Sequence, residues 1–152
     1  MPSLASLIPP SLQAEHAELS AELGQLAEEP GQVGAAAREV AALLRPHQAR
    51  EEQFALPPLG VLVHLADGRI TPEMASALAL ARQLKSLMPR MLEEHIAIVG
   101  ALQTLADTAR EVDRPEVAIL AHKVIVHAQI EEEVLYPAAI VIGEYLATKL
   151  ER

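Results

Sequence analysis

The stretch SLQAEHAELSAELGQLAEEPG, residues 11–31, places Leu12, His16, Leu19, Leu23 and Leu26 at alternating spacings of four and three. That is the period of a helix with one buried seam. Glu28-Glu29-Pro30-Gly31 ends it, because proline cannot extend the helical hydrogen-bond ladder and glycine favours a turn. The pattern recurs three times. A second helix from about Gln32 puts Val40, Leu44, His47, Glu51 and Phe54 on one face, and is expected to fray or kink at Pro57-Pro58. After a loop containing the turn signal Asp67-Gly68, Thr71-Pro72-Glu73 reads as a helix start, with Thr71 as N-cap and proline in first place. That third segment carries Leu84, Met88, Met91, His95, Ile98, Leu102 and Leu105 on one face, with Pro89 expected to kink or break it, and reaches about Glu111. Asp113-Arg114-Pro115-Glu116 then reads as a capping box with Asp113 as N-cap. The last seam includes Leu120, Val124, His127, Glu131 and Val134 and is expected to continue past a kink at Pro137 almost to Arg152. Four long amphipathic helices with short first and last connections predict one all-α domain over residues 1–152, an antiparallel up-down four-helix bundle.

Composition agrees and narrows the function. Hydrophobic residues make up 51% of the chain, yet there are one Phe, two Tyr and no Trp, which suits packed helices better than a β-sandwich. A formal net charge of −9 disfavours nucleic acid and anionic membrane surfaces as partners, since neither offers counter-charge. No apolar run approaches the roughly 18 residues needed to span a bilayer, and the N-terminus MPSLASLIPPSL lacks a basic leader region, so a soluble, cytoplasmic protein is expected. Without cysteine there is no disulfide framework and no thiolate site, so any metal must use nitrogen and oxygen ligands.

The second and fourth helices share a polar pattern. HQAREEQFALPPL, from His47, and HAQIEEEVLYPAAI, from His127, each carry Glu four and five places after the His and Pro ten places after it. The first and third helices share Glu-His followed by Leu seven and ten places on, in EHAELSAELGQL from Glu15 and EEHIAIVGALQTL from Glu93. The chain thus reads as two similar helical hairpins, each with one lone His and one His-x-x-x-Glu. Duplication explains the apolar repeats; it does not explain polar residues at seam positions.

His16, His47, His95 and His127 occupy seam places where neighbouring turns carry Leu, Val, Ile or Met, and Glu51 and Glu131 occupy the seam place after a His. An ionised carboxylate in a bundle core costs several kcal/mol unless paired or metal-bound, and no Lys or Arg shares these positions. Level also matches. His16 and His47 lie about 15 residues, or roughly 23 Å of helix, from the turn near residue 31. His95 and His127 are similarly placed about the turn near residue 112. If the two turns lie at the same end, four imidazoles and two carboxylates meet in one layer, a donor set for two metal ions in which each Glu can stretch toward the second ion. Six protein ligands leave open positions where a small molecule such as O2 could bind. The ferritin-like Glu-x-x-His motif is absent.

These residues resemble the hemerythrin-like, or HHE cation-binding, family over nearly the whole chain: His16, His47-x-x-x-Glu51, His95 and His127-x-x-x-Glu131, with LPPL and LYPA after the second and fourth motifs. The resemblance implies a non-haem di-iron centre, Fe2+ or Fe3+ and oxo- or hydroxo-bridged, with Glu51 and Glu131 bridging; the donor set also accepts Mn or Zn. Respiratory members have His-x-x-x-His on the third helix, but Met91 and Val99 flank His95 here. That departure favours sensing, iron handling, or peroxide and nitric-oxide chemistry over reversible O2 carriage, and makes a diatomic or peroxide ligand the expected partner. A di-iron peroxidase or oxidase and a metal-free helical interaction module are the alternatives. Respiratory members also use His-x-x-x-x-Asp on the last helix, which would select Glu132, whereas a regular helix favours Glu131 because i+4 returns to the face of His127. His64 and His122 are expected to be solvated or locally bonded, and Glu52, Glu132 and Glu133 to be exposed or at most to orient a ligating His; Tyr136, just before Pro137, could approach the metal layer, with core packing the favoured role.

Overall fold

A computed structural model describes residues 7–151; residues 1–6, expected to lack a basic leader, and Arg152 lie outside the described residues. The chain is helical, with no strand among the described residues. α1 spans Pro10–Ala27, α2 Gly31–Arg50, a short α3 Leu62–Ala66, α4 Ala75–Glu111, α5 Pro115–Ile130 and α6 Tyr136–Leu150. α1 packs on α2, α2 on α4, and α4 on both α5 and α6, giving a bundle of four helical stretches with α5 and α6 as one of them. At one end, Arg114 Nη2 reaches Glu29 Oε1 at 3.3 Å, so the turn after α1 and the turn after α4 are neighbours. Where α6 meets α4, Gly143 lets the backbones close up: a Cβ there would come within 2.6 Å of Ala81 Cβ. No helix among the described residues is long and apolar enough to cross a membrane.

Two apolar clusters fill the interior. One joins Leu19, Leu23, Val40, Leu44, Ile98, Leu102, Leu105 and Val124 near the paired turns. The other joins Leu56, Met74, Leu84, Met91, Tyr136, Ile142 and Leu146 toward the opposite end. Between them in every long helix lies a buried polar residue from the set His16, His47, Glu51, His95, His127 and Glu131, the buried polar and charged residues among those described.

The helices holding the two glutamates widen at the same place. The Leu56 N–H donates to the Glu51 carbonyl at 2.9 Å, and the Tyr136 N–H donates to the Glu131 carbonyl. Both are i→i−5 bonds closing π-helical turns, Glu51–Ala55 and Glu131–Leu135. Proline follows each time, at Pro57 and Pro137. A proline ring collides with the carbonyl four residues back in a regular helix, and the wider turn relieves that collision without a sharp break. The extra residue advances the seam by one. Val134, expected on the seam, is therefore 56% exposed while Tyr136 is fully buried, and Phe54 is only partly buried where Ala55 and Leu56 are inside.

Three other expectations are corrected. α4 is not broken at Pro89, which is exposed while Leu84 and Met91 on either side are fully buried; packing on both flanks outweighs the roughly 3 kcal/mol that an internal proline costs. Thr71 and Pro72 take the N-cap and first places as expected, but of a 3-10 turn, Pro72–Met74, that precedes α4, and the Thr71 side chain makes no capping bond. Asp113 does not cap α5. It takes a left-handed backbone, φ 56°, and terminates α4: the Arg114 N–H reaches the Ala109 carbonyl at 2.8 Å and the Asp113 N–H the Arg110 carbonyl at 3.2 Å, the paired bonds of a Schellman end. Glu116 pairs with Arg114 instead.

Candidate metal centre

All six residues picked from the seams meet in one place. α1 supplies His16, α2 His47, α4 His95 and α5 His127, while Glu51 and Glu131 open the two π turns. Donor atoms of His47, Glu51, His95 and Glu131 lie within 4.8 Å of one another, as do those of His16, His127 and Glu131. The shared member is Glu131. Its Oε1 is 3.2 Å from His95 Nε2, while its Oε2 is 3.4 Å from His16 Nε2 and 3.2 Å from His127 Nε2. Glu51 Oε1 stands 3.5 Å from His47 Nε2 and 3.8 Å from His16 Nε2. Two half-sites result, one around His47 and His95 with ring centroids 4.6 Å apart, the other around His16 and His127 at 5.3 Å.

Each imidazole turns Nε2 inward and Nδ1 outward, and each Nδ1 faces a carboxylate. His47 pairs with Glu94 at 3.1 Å, His95 with Glu132 at 2.9 Å, and His127 with Glu15 at 2.6 Å. His16 Nδ1 has Glu52 at a longer 3.8 Å. An ionised carboxylate only accepts, so Nδ1 of His47, His95 and His127 carries a hydrogen, and in its neutral form each of these rings presents the Nε2 lone pair to the centre. Glu94 is itself anchored by Arg50 through two contacts, one at 3.1 Å from Nε; although burial raises its pKa, hydrogen bonds from Arg50 and His47 hold it below the usual carboxylate range.

The outer carboxylates obey the same repeat as the inner histidines and glutamates. Glu15 and Glu94, each preceding a seam His, reach across to His127 and His47; Glu52 and Glu132, each following a seam Glu, face His16 and His95. Glu132 is thus not simply solvated, although it remains 39% exposed; Glu133, His64 and His122 are exposed as expected. Sequence reasoning missed Glu15 and Glu94. Their signal was available, because the Glu-His dipeptide recurs in both halves.

Tyr136 is both core packing and part of the polar layer. Its hydroxyl donates to Glu51 Oε2 at 2.7 Å and lies 3.3 Å from His47 Nε2 and 3.2 Å from His95 Nε2. The π turn brings it inward by advancing the seam one residue.

Electrostatics make this a place built for positive charge. Burial, then the adjacent Glu131, push Glu51 well above its ordinary pKa. Burial acts on Glu131 in the same sense, but contacts with Glu51, His127, His16 and His95 outweigh it and hold Glu131 well below. Burial lowers the pKa of His47, only partly offset by Glu94. His95 and His127 lose from burial but gain more from Glu131 and their outer carboxylates, and are raised. Tyr136 is pushed far up by burial and by the Glu51 and Glu131 charges. Without a cation, protons shared among these groups carry the compensating charge. Even so, His16 Nδ1, His127 Nε2 and Glu131 Oε2 are buried with no hydrogen-bond partner, an arrangement that costs about 1–3 kcal/mol per group if nothing binds there.

No family model, curated protein or solved structure matches this chain.

Proposed function

We propose that this protein is a hemerythrin-like member of the two-metal bundle proteins, an antiparallel up-down four-helix bundle in which His16, His47, Glu51, His95, His127 and Glu131 hold two iron ions and admit a small oxidant. The observation that carries this reading is the layered donor set: inward Nε2 atoms on shared carboxylates, with outward Nδ1–H groups on a second ring of carboxylates. Such outer partners fix the tautomer and raise the basicity of metal-ligating histidines, and a purely structural core has no use for three of them. Separations between inner donors of 3.2–3.8 Å are close to the roughly 3.0–3.4 Å expected between ligands sharing a metal at about 2.1 Å. The orphaned His127 Nε2 and Glu131 Oε2 face the same half-site, which argues against a metal-free interaction module.

Two irons held there would supply one-electron redox chemistry and open positions for O2, nitric oxide or a peroxide. The chain's own residues set the rest. Glu131 spans both half-sites with its two oxygens, Glu94 and Glu132 hold His47 and His95 in one tautomer, and the apolar clusters above and below exclude water. Iron over manganese or zinc rests on the family resemblance, since nitrogen and oxygen donors accept all three. The missing His-x-x-x-His on α4 favours sensing, iron handling or oxidant chemistry over O2 transport.

A di-iron peroxidase is the second reading. An open groove of about 490 Å3 between α4 and α5, lined by His95, Val99, Gly100, Ile125 and Glu132, favours it by bringing solvent to the edge of one half-site. Reconstitution with ferrous iron followed by air tests both readings: near-ultraviolet ligand-to-iron bands that change on reduction support the binding reading, and steady turnover of added peroxide selects the enzyme. Iron that binds but gives no such bands in air or peroxide would remove the oxidant role.

A further inference from the structure

The inner histidines and glutamates of the two half-sites are related by the internal repeat, but the residue that closes each π turn is not. An offset of 80 residues relates His47 to His127, Glu51 to Glu131 and Glu52 to Glu132, and the same offset relates Leu56 to Tyr136. Both of the last pair are buried at the end of a π turn. One is a hydrocarbon and the other a phenol. The asymmetry therefore sits at the same step of the two turns that supply the carboxylates.

The Tyr136 ring belongs to the apolar cluster, but its phenol oxygen reaches the polar layer. It stands 2.7 Å from Glu51 Oε2, 3.2 Å from His95 Nε2 and 3.3 Å from His47 Nε2. The two separations from imidazole nitrogen fall in the range expected between atoms ligating one ion, about 3.0–3.4 Å for right-angled to tetrahedral arrangements, and the 2.7 Å contact is the hydrogen bond to Glu51. The hydroxyl has one hydrogen, given to Glu51, and cannot also satisfy two imidazole lone pairs. A cation among these four donors satisfies all of them together.

We propose that the Tyr136 oxygen is a further metal ligand, placed only in the half-site of His47, Glu51 and His95, so that the two metal positions differ in donor set. This rests on the two-metal reading above. As the oxygen-to-metal bond forms, the O–H bond breaks and the proton leaves to solvent, as metal uptake by protonated ligands requires. The carboxylate charges that oppose loss of this proton in the metal-free centre are overturned by an ion of higher positive charge at the same point. The half-site of His16 and His127, with leucine at the equivalent place, keeps nitrogen and carboxylate donors alone.

Ferric-loaded protein tests this by metal analysis, visible absorption and resonance Raman spectroscopy on one sample. The expected result is about two irons per chain, a visible tyrosinate-to-iron charge-transfer band and enhanced tyrosine ring modes. Tyr136→Phe should abolish both signals, and Tyr145→Phe, at the exposed second tyrosine, should retain them. Two irons without the band in the wild type, or a band that survives in Tyr136→Phe, would overturn the assignment while leaving the two-metal reading intact. Iron content near zero would overturn both.

Discussion

Glu131→Gln keeps the side chain's shape and removes the one carboxylate whose two oxygens face different half-sites, Oε1 toward His95 and Oε2 toward His16 and His127. Loading should fall from about two ions per chain to one or none. The thermal consequence follows from linkage: a site filled at 100 times its dissociation constant stabilises the fold by about 2.7 kcal/mol, so two sites contribute about 5 kcal/mol. For a chain of this size each kcal/mol moves the midpoint by roughly 2–4 °C. The wild type should therefore melt roughly 10–20 °C higher when loaded, and Glu131→Gln should keep at most half of that rise. Circular-dichroism melts in anaerobic ferrous buffer, read as the loaded-minus-unloaded difference for each variant, cancel any effect on the metal-free fold. Glu132→Gln should retain two ions and most of the rise, because Glu132 touches the back of His95. Should Glu132→Gln lose an ion while Glu131→Gln keeps both, the five-residue spacing is the correct one on the last helix and the reasoning fails.

The outer carboxylates should tune affinity without setting stoichiometry. Glu15→Ala, Glu94→Ala and Glu132→Ala should each weaken metal binding by about 10–100-fold in chelator competition, yet still reach two ions at saturation; unchanged affinity in all three would remove their orienting role. Acidity should act with opposite sign on the two forms. In metal-free protein, Glu131 and the outer carboxylates raise His95 and His127 above 6.5 in spite of burial, and burial with Glu131 raises Glu51 above 4.5. Above pH 6.5, where the lowered His47, Glu94 and Glu131 have given up their protons in both states, the folded state binds more protons than the unfolded one, so stability should decline as pH rises through the folded values of His95 and His127. Loaded protein should instead gain stability over that rise and release metal toward acid, because protons and cations compete for the same atoms. Parallel melts across pH that slope the same way would contradict this.

Much of the centre was legible because burial and polarity conflict openly in this sequence. Four His and two Glu stand at positions where periodicity demands hydrocarbon, and a helix fixes which residues share a face, so the inner ring followed from spacing alone. Places beyond the π turns were not legible in that way. One added residue in each turn moves Val134 out and Tyr136 in, and the cue was the proline after each motif, read as a kink rather than as the cause of a wider turn. Glu15 and Glu94 escaped because each acts on a histidine of another helix, a relation that one-helix periodicity does not encode although the repeat does. Helix ends were misread where tertiary packing overrides local preference, as at Pro89, or where a residue suited to start one helix ends another, as at Asp113.

Metal content is the most direct measurement of the central claim. Protein purified without chelator, then reconstituted with ferrous iron under nitrogen and freed of unbound metal, should carry close to two ions per chain by elemental analysis, for the six inner donors form two half-sites joined by Glu131. Content near zero after reconstitution would contradict the account and leave the buried histidines and glutamates as a proton-bridged core.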